Sequence, residues 1–295
     1  MSVSVVLSFF APVSYALPVK HFHAVMHTLH AQGVPLVVTQ AVYPGQQPQP
    51  VPSAIVQQTY ETRSLLFHKE RLWNLGAGLT DSAAIIWLDA DVVFSSTSWL
   101  KKCQQLFESC EVIQPFTRAT WLGRDGRPEM QRKSGADAVS RDVRPCFTRH
   151  HAGFGWGMRR ETFNELGGFF DASVAGNSDS FFMLSLRDND GHKMHERYFE
   201  TIQDSTIRCS SYTRYKNKAT AQRLSVGAPE DVDVLHLWHG SRKHRQYVTR
   251  VKHFPRKDDG EFAVHTGENG LQVWDNIREA NGSVAQYFTN KRDDG

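Results

Sequence analysis

The chain contains an apolar run that two aspartates interrupt: residues 84–94 read AIIWLDADVVF. The first five residues predict a buried strand that ends at Asp89 and Asp91. Burying an unpaired carboxylate is costly, so such groups usually pair with a cation, bind a metal or shift their pKa. The sequence therefore places the first candidate site at the end of this strand.

Strand and helix patterns alternate around this run. Residues 3–10 and 36–42 are β-branched and apolar, which predicts strands, and apolar residues recur at helical spacing from Val19 to Leu29 between them. Residues 62–79 have the pattern of a helix that leads into the strand at Ile85. This order predicts an α/β fold with a mainly parallel sheet, and such sheets bind ligands at the carboxyl ends of their strands.

Composition indicates an ordinary globular chain. It has 295 residues, of which 40% are hydrophobic and 22% charged, with a formal charge of +3 that is too small to name a nucleic-acid partner by itself.

The N-terminal apolar run lacks a preceding Lys or Arg, so a strand is favoured over a signal sequence. No apolar stretch is long enough to span a bilayer. The cysteine spacing suggests neither a zinc site nor a disulfide scaffold, so we expect a cytoplasmic protein. The cysteines are Cys103, Cys110, Cys146 and Cys209.

Four blocks together resemble a known enzyme class. Asp89-Ala90-Asp91 resembles the Asp-x-Asp motif of GT-A glycosyltransferases, which use a divalent cation and a nucleotide-sugar donor. Three more blocks are similar, in the same order, to segments of the β-1,4-galactosyltransferases: residues 67–76 (FHKERLWNLG), 153–169 (GFGWGMRRETFNELGGF) and 236–242 (HLWHGSR). The resemblance implies a GT-A type nucleotide-binding fold with helices on both faces of the sheet.

The motif order also predicts how the chain is divided. We expect one catalytic domain followed by a partly flexible C-terminal extension with a frayed end at residues 291–294. The predicted parts are a domain over 1–257, made of a donor half (about 1–117), a basic loop (118–150) and an acceptor and metal half (151–257), and an extension over 258–295.

The resemblance implies a divalent cation at the donor diphosphate. Asp91 is expected to bind the cation directly, and Asp89 to contact the ribose or a metal-bound water. His239 matches the histidine of a late Met-x-x-His block, and His236, which replaces the methionine, is a candidate for an additional ligand. Carboxylate and imidazole ligands together suit Mn²⁺, with Mg²⁺ as the alternative. Both histidines would otherwise be hydrogen-bonded core residues.

Sugar transfer with inversion needs a general base that deprotonates the acceptor hydroxyl. The resemblance implies Asp179, although Ser178 replaces a glutamate of the related enzymes, and a helix N-cap is the alternative role for Asp179. Phe67 and Lys69 match positions that contact the nucleotide, and Arg71 is a further candidate. A surface helix with alternating charges would account for the two basic residues without a ligand.

These features together predict a glycosyltransferase, hexosyltransferase-like, that moves a sugar from a UDP-sugar to an acceptor hydroxyl. The aromatic turn of the galactosyltransferase acceptor site has no counterpart around residues 174–178, so N-acetylglucosamine is not implied. Basic residues are concentrated in residues 118–149 and 242–257, which makes a nucleic acid with hydroxymethylated bases, or an anionic glycan, a reasonable acceptor. Most such charge runs simply face solvent.

Two other functions fit the same residues. Strand-end carboxylates and histidines also build metal-dependent phosphoesterases, which would hydrolyse the nucleotide sugar instead of transferring the sugar. The chain would otherwise be a sugar-nucleotide-binding module without turnover. Release of nucleoside diphosphate only when an acceptor is present would identify the transferase.

Overall fold

A computed structural model describes residues 1–143, 147–187, 199, 204–247 and 249–295. Arg144 of the predicted basic loop and Cys146 lie outside the described residues. The strands are β1 (Val3–Phe10), β2 (Leu36–Val42), β3 (Val56–Glu61), β4 (Ala84–Leu88), β5 (Val92–Phe94), β6 (Val112–Ile113), β7 (Arg118–Leu122), β8 (Pro128–Ser134), β9 (His150–His151), β10 (Gly155–Arg159), β11 (Val226–Gly227), β12 (Asp233–His236), β13 (Val264–Thr266) and β14 (Gln272–Trp274).

The helices of the described part come mostly between these strands. They are α1 (Ala16–Ala31), α2 (Lys69–Ala77), α3 (Trp99–Leu106), α4 (Gly135–Ser140), α5 (Arg160–Leu166), α6 (Ser178–Ser185), α7 (Ser210–Gln222) and α8 (Ile277–Asn290), with 3-10 turns at Ser205–Arg208, Arg242–Arg245 and Arg250–His253. The helix predicted over residues 62–79 is limited to Lys69–Ala77. Within the described residues, no helix combines the length and the apolar composition that a bilayer crossing requires.

The central sheet has the strand order β11-β6-β10-β4-β1-β2-β3. All of these strands are parallel except β10, which runs antiparallel to both of its neighbours. Val5 of β1 packs into a core with helix α1, whereas the next residue, Val6, packs on the opposite face with Trp73 of α2. Successive side chains of a strand point to opposite faces, so a strand covered by helices on both sides is continuously apolar. The predicted α/β fold with a mainly parallel sheet is confirmed.

A second sheet occupies much of the predicted basic loop. Its order is β5-β12-β7-β8-β9, and β7 and β8 form an antiparallel pair where the sequence analysis predicted a loop over 118–150. That prediction was wrong for these residues. Most side chains of β8 are exposed or half-buried and polar, so its pattern carries no apolar alternation, and the strand is held by pairing with β7.

The segment after residue 257 packs against the rest of the chain. Tyr287 and Phe288 of α8 lie 6.0 and 5.4 Å from the ring of Phe67, measured between ring centroids. The predicted frayed end at residues 291–294 was wrong, because Asp293 is 4% exposed and Asp294 accepts hydrogen bonds from backbone amides of α1. Its partners are distant in sequence, so local composition does not predict the packing.

Candidate active site

A cavity of about 690 Å³ opens at the carboxyl ends of β1 and β4. Its walls bring together nearly every residue that the sequence analysis singled out. These are Phe67, Lys69, Asp89, Asp91, Asp179, His236 and His239.

Arg71 is the exception among the predicted site residues. Its guanidinium contacts the carboxylate of Asp171 at 3.3 Å and donates to the carbonyl oxygen of Gly270, and within the described part of the chain it does not line the cavity. Residues two apart on a helix point about 200° away from each other, so Lys69 and Arg71 face different directions. The structure therefore does not bring Arg71 together with the other residues predicted to contact the nucleotide.

Strand pairing assembles a candidate metal site. Strand β12 pairs antiparallel with β5, which sets His236 opposite Val92, next to Asp91. The Oδ2 atom of Asp91 lies 2.6 Å from Nε2 of His239 and 3.5 Å from Nε2 of His236. One ligand atom from each residue lies within 4.8 Å of those of the other two. The three side chains therefore meet at one point, although they are far apart in sequence.

The electrostatics of these residues suit a cation. Burial lowers the pKa of His236 to about 4, so its imidazole is neutral at pH 7. Burial alone would raise the pKa of Asp91, but the two histidines outweigh it and hold that pKa well below its ordinary value. The buried Oδ1 atom of Asp91 accepts no hydrogen bond from any residue that the structure describes. An ionised carboxylate with an unsatisfied buried oxygen beside the neutral imidazole of His236 fits a divalent cation.

Lys69 connects three carboxylates at the floor of the cavity. Its Nζ atom lies 3.1 Å from Asp89, 3.3 Å from Glu70 and 3.6 Å from Asp179. Burial would lower the pKa of Lys69, but these carboxylates hold it well above its ordinary value, so the ammonium stays charged. Burial raises the pKa of Asp89, and the negative charges of Asp91 and Asp179 add to this effect.

Asp179 is the second residue of α6. Asn177, with φ of 73°, occupies the N-cap position of this helix without a capping hydrogen bond from its side chain, and Oδ1 of Asp179 accepts a hydrogen bond of 2.7 Å from the backbone N–H of Ser180. Burial would raise the pKa of Asp179, yet the charge of Lys69 outweighs it and keeps the pKa below its ordinary value. A Cβ atom at Gly153 would lie 2.8 Å from Oδ2 of Asp179, which explains why a glycine stands there. The structure thus presents an ionised carboxylate to the cavity.

An aromatic group forms another wall of the cavity. The ring of Phe67 lies between Phe10, at 6.0 Å, and Phe288, at 5.4 Å between centroids. The guanidinium of Arg250 lies 5.2 Å from the centre of the Phe67 ring. Flat apolar surfaces next to a cation suit a heterocyclic base linked to phosphates.

Two arginines of the site were not predicted from the sequence. Arg250 is only 7% exposed, and its Nη2 atom donates a hydrogen bond of 2.7 Å to the amide oxygen of Asn177. Arg245 donates from Nη2 to Nε2 of His239 at 2.7 Å. Both residues were visible only as members of a basic run, because nothing in the local sequence distinguishes a cavity-facing arginine from a surface one.

Other residues of the basic runs point away from the cavity. Arg118 pairs with Asp233 at 2.8 Å and is half exposed, and Arg141 pairs with Asp137 at 2.9 Å. Of the basic residues in the two runs, the cavity lining includes Arg132, Arg245 and Arg250. The runs therefore do not form one continuous basic cleft around the site in the described structure.

Comparison with known proteins gives only distant likenesses. No protein-family model matches the chain, and no curated protein matches it. Similar solved structures include S. aureus TarS 1-349, with 13% identity, a TM-score of 0.44, and coverage of 62% of this chain and 54% of that chain. The mannosyltransferase PcManGT from Pyrobaculum calidifontis, in complex with GDP-Man and Mn²⁺, has 13% identity, a TM-score of 0.42, and coverage of 82% and 59%.

A third likeness is to glucosyl-3-phosphoglycerate synthase from Mycobacterium tuberculosis, in complex with Mn²⁺, UDP and phosphoglyceric acid. It has 12% identity and a TM-score of 0.35, with coverage of 56% of this chain and 57% of that chain. The present chain thus spans little more than half the length of these three proteins. Likenesses this weak transfer no activity or ligand to it.

Proposed function

We propose that this protein is a GT-A-type, metal-dependent glycosyltransferase that moves a sugar from a nucleotide sugar to an acceptor hydroxyl. The observation that carries the proposal is the convergence of Asp91, His236 and His239 in the same cavity as the ionised carboxylate of Asp179. The position of this cavity at the carboxyl ends of parallel strands supports it. The shared order of motifs with the β-1,4-galactosyltransferases supports a relation to that family.

The cation would be held by Asp91, His239 and His236, and Mn²⁺ suits this donor set better than Mg²⁺ because two ligands are imidazoles. When bound, a divalent cation stabilises the negative charge that accumulates on the departing diphosphate. Arg245 and Arg250 add fixed positive charge to the lining of the same cavity.

Asp179 is the proposed general base. It removes the proton from the acceptor hydroxyl as the oxygen attacks the anomeric carbon, which leads to inversion. Lys69 lies between Asp179 and Asp89, and it keeps Asp179 in the ionised form that a base requires. We assign Phe67 to the nucleotide base, Asp89 to the ribose, and Lys69 to the donor phosphates.

The donor we propose is a UDP-sugar, on the strength of the motif resemblance. A cavity of about 690 Å³ has the size of a small-molecule site, and some arginines of the basic runs, such as Arg118 and Arg141, pair with acidic neighbours away from the cavity. Both observations favour a glycan or another small hydroxyl compound as acceptor over a modified base in nucleic acid.

The proposed catalytic domain covers residues 1–257, and the segment 258–295 completes one wall of its cavity through Tyr287 and Phe288. Cys103, Cys110 and Cys209 are buried free thiols, which supports our proposal of a reducing, cytoplasmic location.

The test is a mass-spectrometric screen of UDP- and GDP-sugars with Mn²⁺ against glycan, protein and DNA acceptors. A transferase releases nucleoside diphosphate only when an acceptor is present and gains the mass of the sugar on that acceptor. Breakdown of the donor without acceptor would instead identify a hydrolase. Binding of the donor without turnover in the whole screen would favour a binding module.

Two variants connect the screen to the site. Asp91→Asn should lose both Mn²⁺ binding and transfer, whereas Arg118→Gln, which breaks a surface ion pair, should keep both. Full transfer by Asp91→Asn at limiting Mn²⁺ would contradict the proposed metal site.

A further inference from the structure

The imidazole of His239 is contacted at both of its nitrogens. Its Nδ1 atom lies 3.3 Å from Oδ1 of Asp293, and Nε2 lies 2.6 Å from Oδ2 of Asp91. Asp293 is 4% exposed, and its second oxygen lies 2.8 Å from Nζ of Lys291. A buried carboxylate thus stands behind the candidate metal ligand, on the side away from Asp91.

The hydrogen bonds of His239 assign its tautomer. Arg245 reaches Nε2 of His239 at 2.7 Å, and a guanidinium can only donate hydrogen bonds. Nε2 accepts in this contact, so the ring hydrogen is assigned to Nδ1, where the carboxylate of Asp293 can accept it, in preference to Nε2, where the carboxylate of Asp91 at 2.6 Å would accept it. This tautomer leaves the Nε2 lone pair facing Asp91, as a metal ligand requires.

The backbone around Asp293 is anchored from several directions. The carboxylate of the next residue, Asp294, accepts hydrogen bonds from the backbone N–H groups of Ala16 and Leu17, at 2.9 and 2.7 Å, at the start of α1. Gly240, directly after His239, has φ of 79°, and a Cβ atom there would collide with the carbonyl oxygen of Arg292. Residues 291–295 therefore pack tightly against the loop that carries His239.

We propose that Asp293 is a positioning residue, whose carboxylate fixes the orientation and tautomer of His239 so that Nε2 is available to the cation. The segment 291–295 is then part of the metal site, although it carries none of the motifs that identified the site. This inference rests on the proposed function, because it assigns Asp293 a task only if His239 binds a cation. Partners of this kind commonly change metal affinity by 10- to 100-fold.

The test measures the affinity for Mn²⁺ directly, by calorimetry and by electron paramagnetic resonance, without donor or acceptor. Asp293→Ala is expected to weaken Mn²⁺ binding by about 10- to 100-fold, and Asp293→Asn, which keeps the shape and one acceptor oxygen, by less. Asp275→Ala is the matched control. Asp275 contacts His265 at 2.7 Å and Lys257 at 3.2 Å, the same Lys–Asp–His arrangement at the surface, and its loss should leave the affinity unchanged.

A second measurement covers the case in which Asp293→Ala folds poorly. Nitrogen-15 NMR of the metal-free protein reports which ring nitrogen of His239 carries the hydrogen. The wild type should show the Nδ1–H tautomer, and Asp293→Asn should show a mixture of the two tautomers, since an amide accepts this hydrogen bond more weakly than a carboxylate does.

The outcomes separate this inference from the proposed function. Wild-type affinity in both Asp293 variants, with Mn²⁺ binding abolished in Asp91→Asn, would overturn the role of Asp293 and leave the metal site in place. An Nε2–H tautomer in the wild type would overturn the inference as well. If the wild type binds no Mn²⁺, the proposed metal-dependent function itself fails.

Discussion

Glu70 is a buried carboxyl group whose ionisation should make the protein less stable as the pH rises. Its side chain is buried in α2, with Oε1 3.3 Å from Nζ of Lys69, and burial raises its pKa to about 7 from an ordinary value of 4.5. The unfolded chain releases this proton near pH 4.5, whereas the folded protein retains it up to about pH 7. Stability is therefore lost between these two values and reaches a lower plateau above them.

The magnitude follows from the two pKa values. Each pKa unit corresponds to about 1.36 kcal/mol, so the full difference between 4.5 and about 7 amounts to about 3 kcal/mol, of which about 2 kcal/mol should develop between pH 5 and pH 8. Glu70→Gln resembles the protonated side chain at every pH. It should be more stable than the wild type by about 1 kcal/mol at pH 5 and by about 3 kcal/mol at pH 8.

The assay is urea unfolding at pH 5, 6, 7 and 8 in EDTA, so that no metal ion alters the neighbouring carboxylates. The quantity compared is the free energy of unfolding of Glu70→Gln minus that of the wild type. Glu268→Gln removes an exposed carboxylate and should give a difference that does not change with pH. A pH-independent difference for Glu70→Gln would refute the reasoning, since it would mean that Glu70 is ionised in the fold at pH 5.

Three further predictions concern the cavity. Asp179→Asn should lower kcat by about 10²- to 10⁴-fold while nucleotide binding persists, and unchanged kcat in a transfer assay would remove Asp179 as the base. Gly153→Ala introduces a Cβ atom 2.8 Å from the Asp179 carboxylate and should lower kcat. Gly282→Ala is the control, because there is open space around this residue, and it should raise stability slightly. Equal activity of the two variants would contradict the steric argument. Arg245→Gln removes positive charge beside His239 and should tighten Mn²⁺ binding several-fold in calorimetry, and weaker binding would show that the arginine supports the site.

The central sheet was accessible from the sequence because its strands are buried on both faces. The observed strands Val3–Phe10 and Leu36–Val42 coincide with the apolar runs that predicted them. Strand β8 was not accessible, since most of its residues are exposed or half-buried and polar and its position depends on β7. Periodicity reports burial, so it identifies a strand only where one face or both are covered by the core.

Some residues of the candidate site could be predicted from the sequence, and others became site residues only through packing. Asp89, Asp91, Asp179, His236 and His239 were selected from short motifs, and the structure brings them to one cavity. Their chemistry is carried by residue type and local order, which a sequence displays directly.

Arg250, Arg245 and Asp293 became site residues only through packing. Arg250 depends on an amide oxygen 73 positions away, and Asp293 meets His239 across 54 positions. Arg71 is the opposite case. It belongs to the motif of residues 67–76, but its position on helix α2 directs its side chain to Asp171 and away from the cavity.

The residues themselves thus specified the class of fold and the charged groups available for chemistry, because burial and residue type are local properties of a chain. Tertiary structure specified which charges face the cavity and which distant carboxylate stands behind His239. Both features depend on distances between segments that are far apart in sequence. The electrostatic energy of each charged group changes steeply over a few ångströms, so these distances decide what the group does.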